Sequence, residues 1–113
     1  SRYLLEQIMA EMKTHCQFLS LAVIPTGAGE PALEGMESAA EVAYQFYREA
    51  TLACKDMAVG AIRLGIVETE EVQLIVLVRQ GTIVSLAIQP TPSLGKVLYR
   101  FQTIVGELLT QAS

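Results

Sequence analysis

The segment that most constrains the fold is residues 61–109, which reads as three short β-strands followed by an amphipathic helix. The middle strand contains an unbroken apolar run at residues 74–78. A strand that is apolar on both faces has to be covered on both sides by other elements. The connections at residues 68–71 and 80–81 are short, so the three strands are predicted to pair antiparallel.

The N-terminal half supplies the elements that can cover such a sheet. Residues 3–13 carry apolar side chains at helical spacing, and residues 18–24 form a β-rich run that ends at a proline. A turn is predicted at residues 26–31, followed by a short return strand at Ala32–Gly35. The longest apolar stripe with 3–4 spacing runs through residues 38–57, which predicts a long central helix.

Sequence signals also set the predicted boundaries of the later elements. Ser38 with Glu41 matches a capping box, so the long helix is predicted to begin at Ser38. The strands of the second half are predicted at residues 62–67, 72–79 and 82–88, and Ser93 is predicted to cap the last helix. We therefore predict one α+β domain over residues 1–113, in the order α-β-β-α-β-β-β-α. About five antiparallel strands form one sheet, and the first and last helices share one face while the long helix covers the other.

Composition excludes several classes of function. The chain has a net charge of −4, which argues against nucleic acid as a partner. It contains no apolar run long enough to span a bilayer, so membrane insertion is not expected. Its two cysteines stand at unrelated positions, which favours reduced thiols in a cytoplasmic protein. Hydrophobic residues make up 51% of the chain, a surplus that an oligomer interface could use.

Candidate catalytic groups are few. His15 and Cys16 are adjacent, but neighbours at a helix–strand junction point in different directions. One histidine and two separated cysteines do not make a zinc site, and the Gly-Ala-Gly at residues 27–29 lacks the remainder of a phosphate-binding motif. The glutamates of residues 68–71 are typical of a solvated turn. We therefore predict a protein that is not an enzyme and that needs no metal or cofactor.

The long helix carries more apolar surface than one core face requires. Val42, Tyr44 and Leu52 lie outside its main apolar stripe, and exposed tyrosine and aliphatic side chains are typical of interfaces. Partner binding is accordingly predicted at Glu41, Val42, Arg48 and Leu52.

The element order and several local features resemble the roadblock/dynein light chain family, whose fold is profilin-like. The resemblance rests on the Ala-rich central helix, on Gly65-Ile66-Val67-Glu68 at the end of the following strand, on the two apolar strands around Gly81, and on Leu94-Gly95 at the start of the last helix. The first turn departs from the family, which often has an Asp-Gly turn where this chain has residues 26–31.

The resemblance implies a dimer in which the central helices pack together and the strand after them continues the sheet. The partner would be a second copy or a related roadblock-like chain, and a small Ras-like GTPase is implied as a further partner in a polarity, motility or signalling complex. The positions that correspond to the dimer interface are Ala40, Tyr44, Tyr47, Thr51, Ile62, Leu64 and Ile66. The alternative function is a small-ligand sensor or chaperone-like domain of related build, which would need an internal pocket between the long helix and the sheet.

Overall fold

A computed structural model describes residues 1–112, which contain three helices and five strands. The helices are α1 (Arg2–Met12), α2 (Glu37–Met57) and α3 (Leu94–Ala112). The strands are β1 (Phe18–Pro25), β2 (Ala32–Gly35), β3 (Leu64–Glu68), β4 (Gln73–Arg79) and β5 (Thr82–Ile88). This order confirms the predicted α+β arrangement, and it confirms Ala32–Gly35 as a strand.

The five strands form one antiparallel sheet in the order β2-β1-β5-β4-β3. The apolar strands β4 and β5 lie inside the sheet, whereas β2 and β3 form its two edges. Gln80 and Gly81 both have positive φ angles, as a two-residue hairpin turn of type I′ requires. The loop after β1 is tied to this turn, because the Thr26 backbone N–H and hydroxyl both donate to the Gly81 carbonyl.

Helices α1 and α3 cover one face of the sheet, as predicted. Phe101, Leu5 and Ile8 are fully buried there, and they pack against strand residues that include Ile75 and Leu86. At about 25 cal/mol per Å² of apolar surface removed from water, burying each such side chain contributes roughly 1.5–3 kcal/mol. This layer therefore holds most of the large side chains of the core.

Helix α2 covers the opposite face, and its contact residues are small. Only Ala39 and Ala43 of this helix are buried, and they pack on a cluster that includes Ala22 and Ala87. The Phe46 ring lies against Gly65 of β3, where any Cβ atom would overlap it. Small residues let α2 approach the sheet closely, while the outer side and the C-terminal half of the helix remain uncovered.

Several predicted boundaries are displaced by one or two residues, and two of them lie at elements that form the candidate site. The long helix begins at Glu37 instead of Ser38, with Met36 as the N-cap and no side-chain capping bond. The reason lies one residue earlier, because Gly35 has a φ of +96° and turns the chain directly from β2 into the helix. The predicted strand at residues 62–67 begins at Leu64, so Ile62 lies outside it. Alternation of apolar residues therefore extends beyond the paired segment.

Candidate functional site

The outer edge of β3 carries backbone groups that no other strand pairs. The Val78 N–H donates to the Arg63 carbonyl, and β3 continues this register with Gly65 opposite Val76 and Val67 opposite Leu74. Because the backbone groups of an antiparallel strand alternate in direction, those of Gly65 and Val67 point to β4. The alternate residues Leu64, Ile66 and Glu68 therefore direct their N–H and C=O groups outward. We call these three residues the β3 edge.

The opposite edge of the sheet is occupied by a side chain. A guanidinium nitrogen of Arg2, at the start of α1, donates to the Leu33 carbonyl of β2 at 3.2 Å. The same guanidinium forms an ion pair with Glu34 at 3.5 Å. Since both partners are about half exposed, this pair contributes little stability, but it places a charged group on the edge. The two edges of the sheet therefore differ in how open they are to another strand.

An apolar groove of about 670 Å³ lies between the first half of α2 and the strands β1 and β2. We call it the α2 groove. Its walls are formed by strand residues such as Ala22, Ile24 and Leu33 and by helix residues such as Ala40 and Tyr44. Glu37 and Glu41 lie among the lining residues, and no lysine or arginine does. Tyr44 is 39% exposed, and its ring centroid lies 6.5 Å from that of Tyr47.

The other side of α2 faces β3 and β4. There Val42, Ser38 and Ala39 line a smaller hollow of about 190 Å³ together with Val67 and Leu74. The Val42 side chain is 48% exposed, and Ile66 on the β3 edge is 37% exposed. In the C-terminal half of α2, the side chains of Leu52 and Met57 are exposed, and so is Val59 just after the helix. Val42 and Val67 therefore share the α2 face beside β3, whereas Ile66 lies opposite Ile75 on the α1/α3 face of the same edge strand.

The structure divides the predicted dimer residues between two sides of α2. Ala40 and Tyr44 line the α2 groove, away from β3. Tyr47 and Thr51 are half-buried, and the Thr51 hydroxyl is buried without a hydrogen-bond partner among the described residues. The other three members lie near β3, with Leu64 and Ile66 on its edge and Ile62 in a hollow beside the strand.

The predicted partner-binding residues are divided in the same way. Glu41 lines the α2 groove, whereas Val42 lies on the side of β3. Arg48 and Leu52 are exposed on the following turns, and Leu52 has 63% of its surface accessible. Val42 therefore lies on the side of α2 that faces β3, and Tyr44 lies with Glu41 on the side of the α2 groove.

Two arginines that the sequence interpretation omitted lie at the N-terminal end of β3. The Arg79 guanidinium donates to the Arg63 carbonyl at 2.6 Å and to the Val78 carbonyl at 2.9 Å. Burial and the nearby charge of Arg63 lower the pKa of Arg79 below its usual range. Both side chains line a hollow of about 520 Å³ with Ile62 and Gly81. Their positions at two strand ends are visible in the sequence, but their proximity depends on how β3 and β4 pair.

The candidate catalytic residues do not form a nucleophilic site. His15 is exposed, and Cys16 is half-buried next to Phe18. Burial raises the pKa of the Cys16 thiol, which is opposite to the shift that a thiolate nucleophile needs. In the acidic turn, the Thr69 hydroxyl accepts hydrogen bonds from the N–H groups of Glu71 and Val72.

Metal-binding and membrane-spanning features are equally lacking in the described part of the chain. Across residues 1–112, no three His, Cys, Asp or Glu side chains are grouped closely enough to hold a metal ion. None of the helices in that range has the length and hydrophobicity that crossing a membrane requires.

Comparison with solved structures identifies the fold. A roadblock/LC7 domain from Streptomyces avermitilis aligns with a TM-score of 0.75 at 15% identity, over 99% of this chain and 97% of that one. Myxococcus xanthus MglB aligns with a TM-score of 0.75 at 12% identity, over 98% and 92% of the two chains. MglC from the same organism has a TM-score of 0.55 at 15% identity, with 97% of each chain covered. No protein-family model and no curated protein matches.

Proposed function

We propose that this chain, whose fold is that of the roadblock/LC7 domains, is a non-enzymatic dimeric scaffold or regulatory protein that binds a small Ras-like GTPase. The observation that carries the proposal is the open β3 edge beside the uncovered side of α2. The protein would act in a polarity, motility or signalling complex. Both cysteines are free thiols, which fits the reducing cytoplasm.

The dimer is supported by what a second protomer would cover. Pairing on the β3 edge would satisfy the outward N–H and C=O groups of Leu64, Ile66 and Glu68. It would also bring the Val42 side of one α2 towards the same side of the other. Apolar side chains that are exposed in a single chain would then be removed from water, which is the main favourable term in association. A two-fold axis is the symmetry expected of such a pair, because it uses the same surface on both chains.

The first test is the mass of the protein in solution. We expect light scattering coupled to size exclusion to give twice the 12.3 kDa mass of the chain at micromolar concentration. Dilution towards nanomolar concentration should shift the equilibrium to the single chain. A constant mass of one chain at all concentrations up to about 100 micromolar, well above the range of stable dimers, would refute the dimer.

The GTPase is assigned to the α2 groove, because that groove lies on the side of α2 away from the β3 edge. An apolar groove that is open along the surface suits an element of another protein better than an enclosed small molecule. Tyr44 gives this groove a large amphipathic side chain, of the kind that interfaces use. The alternative role as a small-ligand sensor would require a pocket closed off from solvent between α2 and the sheet.

The second test is capture of the partner from the native cell. Tyr44→Ala is expected to reduce recovery of a small GTPase at least about tenfold, the cost typical of an aromatic residue central to an interface. Tyr99→Ala is the matched control, because Tyr99 is 65% exposed on α3, in the layer opposite α2. Quantitative mass spectrometry of both captures measures the ratio. Equal recovery of the GTPase with both variants would exclude the α2 groove as its site.

A further inference from the structure

The two faces of the sheet are covered by different numbers of helices. Helices α1 and α3 share one face, whereas α2 alone covers the other. Neighbouring strands lie about 4.8 Å apart and a helix with its side chains is about 10 Å wide, so one helix cannot cover five strands. The α2 groove is an uncovered part of this face, beside the N-terminal half of α2. The fold therefore leaves room there for one more element.

The surface of the groove suits a helix better than a strand. Its strand wall consists of side chains on the α2 face of the sheet, such as those of Ala22, Ile24 and Leu33. On the free edge of β2, the Leu33 carbonyl already accepts a hydrogen bond from Arg2. An added strand would need free backbone groups, whereas a helix satisfies its own backbone and packs through one apolar stripe. An amphipathic helix lying beside α2 is therefore the element that fits.

The rim of the groove on α2 is acidic. Glu37 and Glu41 are exposed, and as residues i and i+4 they lie on the same side of the helix, about 5–6 Å apart at their Cβ atoms. Across residues 1–112 the one ion pair joins Arg2 and Glu34, so no cation of the described chain pairs with either carboxylate. Two like charges at this spacing repel each other, and a cation between them would offset the repulsion.

The acidic rim lies next to apolar surface. Ala40 and Tyr44 follow the two glutamates on the same side of α2 and line the groove with them. Arg48, one turn after Tyr44, is not among the residues that line it, so the negative charge of the groove is confined to the first two turns of the helix. An element that fills the groove therefore meets apolar side chains together with two unpaired carboxylates.

We propose that the α2 groove receives a cationic amphipathic helix, whose apolar stripe packs on β1 and β2 and whose lysine or arginine side chains pair with Glu37 and Glu41. This assignment rests on the proposed function, since it states the chemistry of the element by which the GTPase enters the groove. Charge complementarity favours this occupant. A neutral helix of the same shape would leave both carboxylates unpaired, and an acidic helix would add repulsion.

Two synthetic peptides of about 18 residues, or about five helical turns, test this chemistry on the purified chain. Both carry leucine at the same i, i+3, i+4 and i+7 positions, and the flanking positions are lysine in one peptide and glutamate in the other. We expect fluorescence anisotropy at low salt to show at least about tenfold tighter binding of the lysine peptide, with a difference that shrinks as salt is added. Equal binding of both peptides, or binding of neither, would overturn the assignment.

Matched variants locate the binding site. Glu37→Lys combined with Glu41→Lys should reverse the preference, so that the glutamate peptide binds more tightly. Glu6→Lys combined with Glu11→Lys is the control, because it changes the net charge equally at exposed positions of α1, in the opposite layer, and should retain the wild-type preference. Ala40→Trp fills the groove without a change of charge and should weaken binding of the lysine peptide at least about tenfold. A preference that follows net charge at either place would mean that the peptide does not bind in the groove.

The outcomes separate this assignment from the proposed function. If Tyr44→Ala reduces capture of the GTPase while charge reversal at Glu37 and Glu41 changes neither the capture nor the peptide preference, the cationic helix is wrong and the GTPase site stands. If the peptide preference reverses but Tyr44→Ala and Tyr99→Ala capture the GTPase equally, the groove takes a cationic helix and the GTPase is not its source. Loss of the dimer in Ala40→Trp, measured by light scattering, would show that a second copy fills the groove and would overturn both. Thermal unfolding of each variant verifies that the fold is intact.

Discussion

Gly35→Ala is expected to lower the free energy of unfolding by about 2–4 kcal/mol. A Cβ atom at this position would overlap the Leu19 carbonyl oxygen and lie 2.9 Å from the Ser20 Cα, so backbone atoms of β1 would have to move. The φ of +96° adds strain for any residue that has a Cβ. Urea unfolding followed by circular dichroism, at one fixed protein concentration, should show a midpoint lowered by roughly 1–2 M.

The matched control for this variant is Gly27→Ala, in the loop between the same two strands. A Cβ at Gly27 meets no atom within 4 Å, and its φ is not positive. We expect its stability to change by less than about 0.5 kcal/mol. Equal midpoints for the two variants would mean that β1 and β2 separate at little cost, and that Gly35 is not required to direct the chain into α2.

Ile66→Pro is expected to weaken the dimer about 100-fold or more while leaving the single chain folded. The N–H of Ile66 points away from β4, so proline removes no hydrogen bond within the chain. In the proposed dimer that N–H donates to the second copy, and the proline ring would stand where the partner carbonyl lies. Two central hydrogen bonds are lost at once because of the two-fold axis, and the ring adds a steric clash. Sedimentation velocity over a concentration series measures the effect.

Two comparisons make the Ile66 result specific. Ile66→Val keeps the N–H and the branched shape, and it should dimerise within about threefold of the wild type, since the loss is one methylene group. Val67→Pro removes an N–H that points to β4, so it should destabilise the fold itself by about 3 kcal/mol. If Ile66→Pro retains the affinity of the wild type, then the second chain does not pair with β3.

The elements could be predicted because local signals and burial agree along most of this chain. The doubly apolar run of β4 required helices on both faces, and the structure places α2 on one and the other two helices on the opposite one. The start of α2 was misassigned because a capping pattern at Ser38 is local, whereas the start is set by contact of Gly35 with β1. That contact depends on strand pairing, which sequence spacing does not reveal.

The candidate site was less predictable, for a geometrical reason. Helical spacing shows that Ala40 and Tyr44 share a stripe, and that Val42 lies outside it. Spacing does not show which strand lies under each side of the helix, because this depends on the strand order β2-β1-β5-β4-β3. Arg63 and Arg79 were overlooked for the same reason, since they are 16 positions apart in the chain and adjacent only through the pairing of β3 with β4.

The hydrogen bond from Arg2 to the Leu33 carbonyl has a consequence for how far assembly can proceed. If both edges of a sheet accepted strands, each added chain would offer a fresh edge, and growth would continue into a filament. Here a charged side chain occupies the Leu33 carbonyl of one edge, so a chain that joins through its other edge leaves behind it an edge that is obstructed at this position. Arg2 would then limit assembly to two chains, although it lies at the end of the sheet that takes no part in their contact.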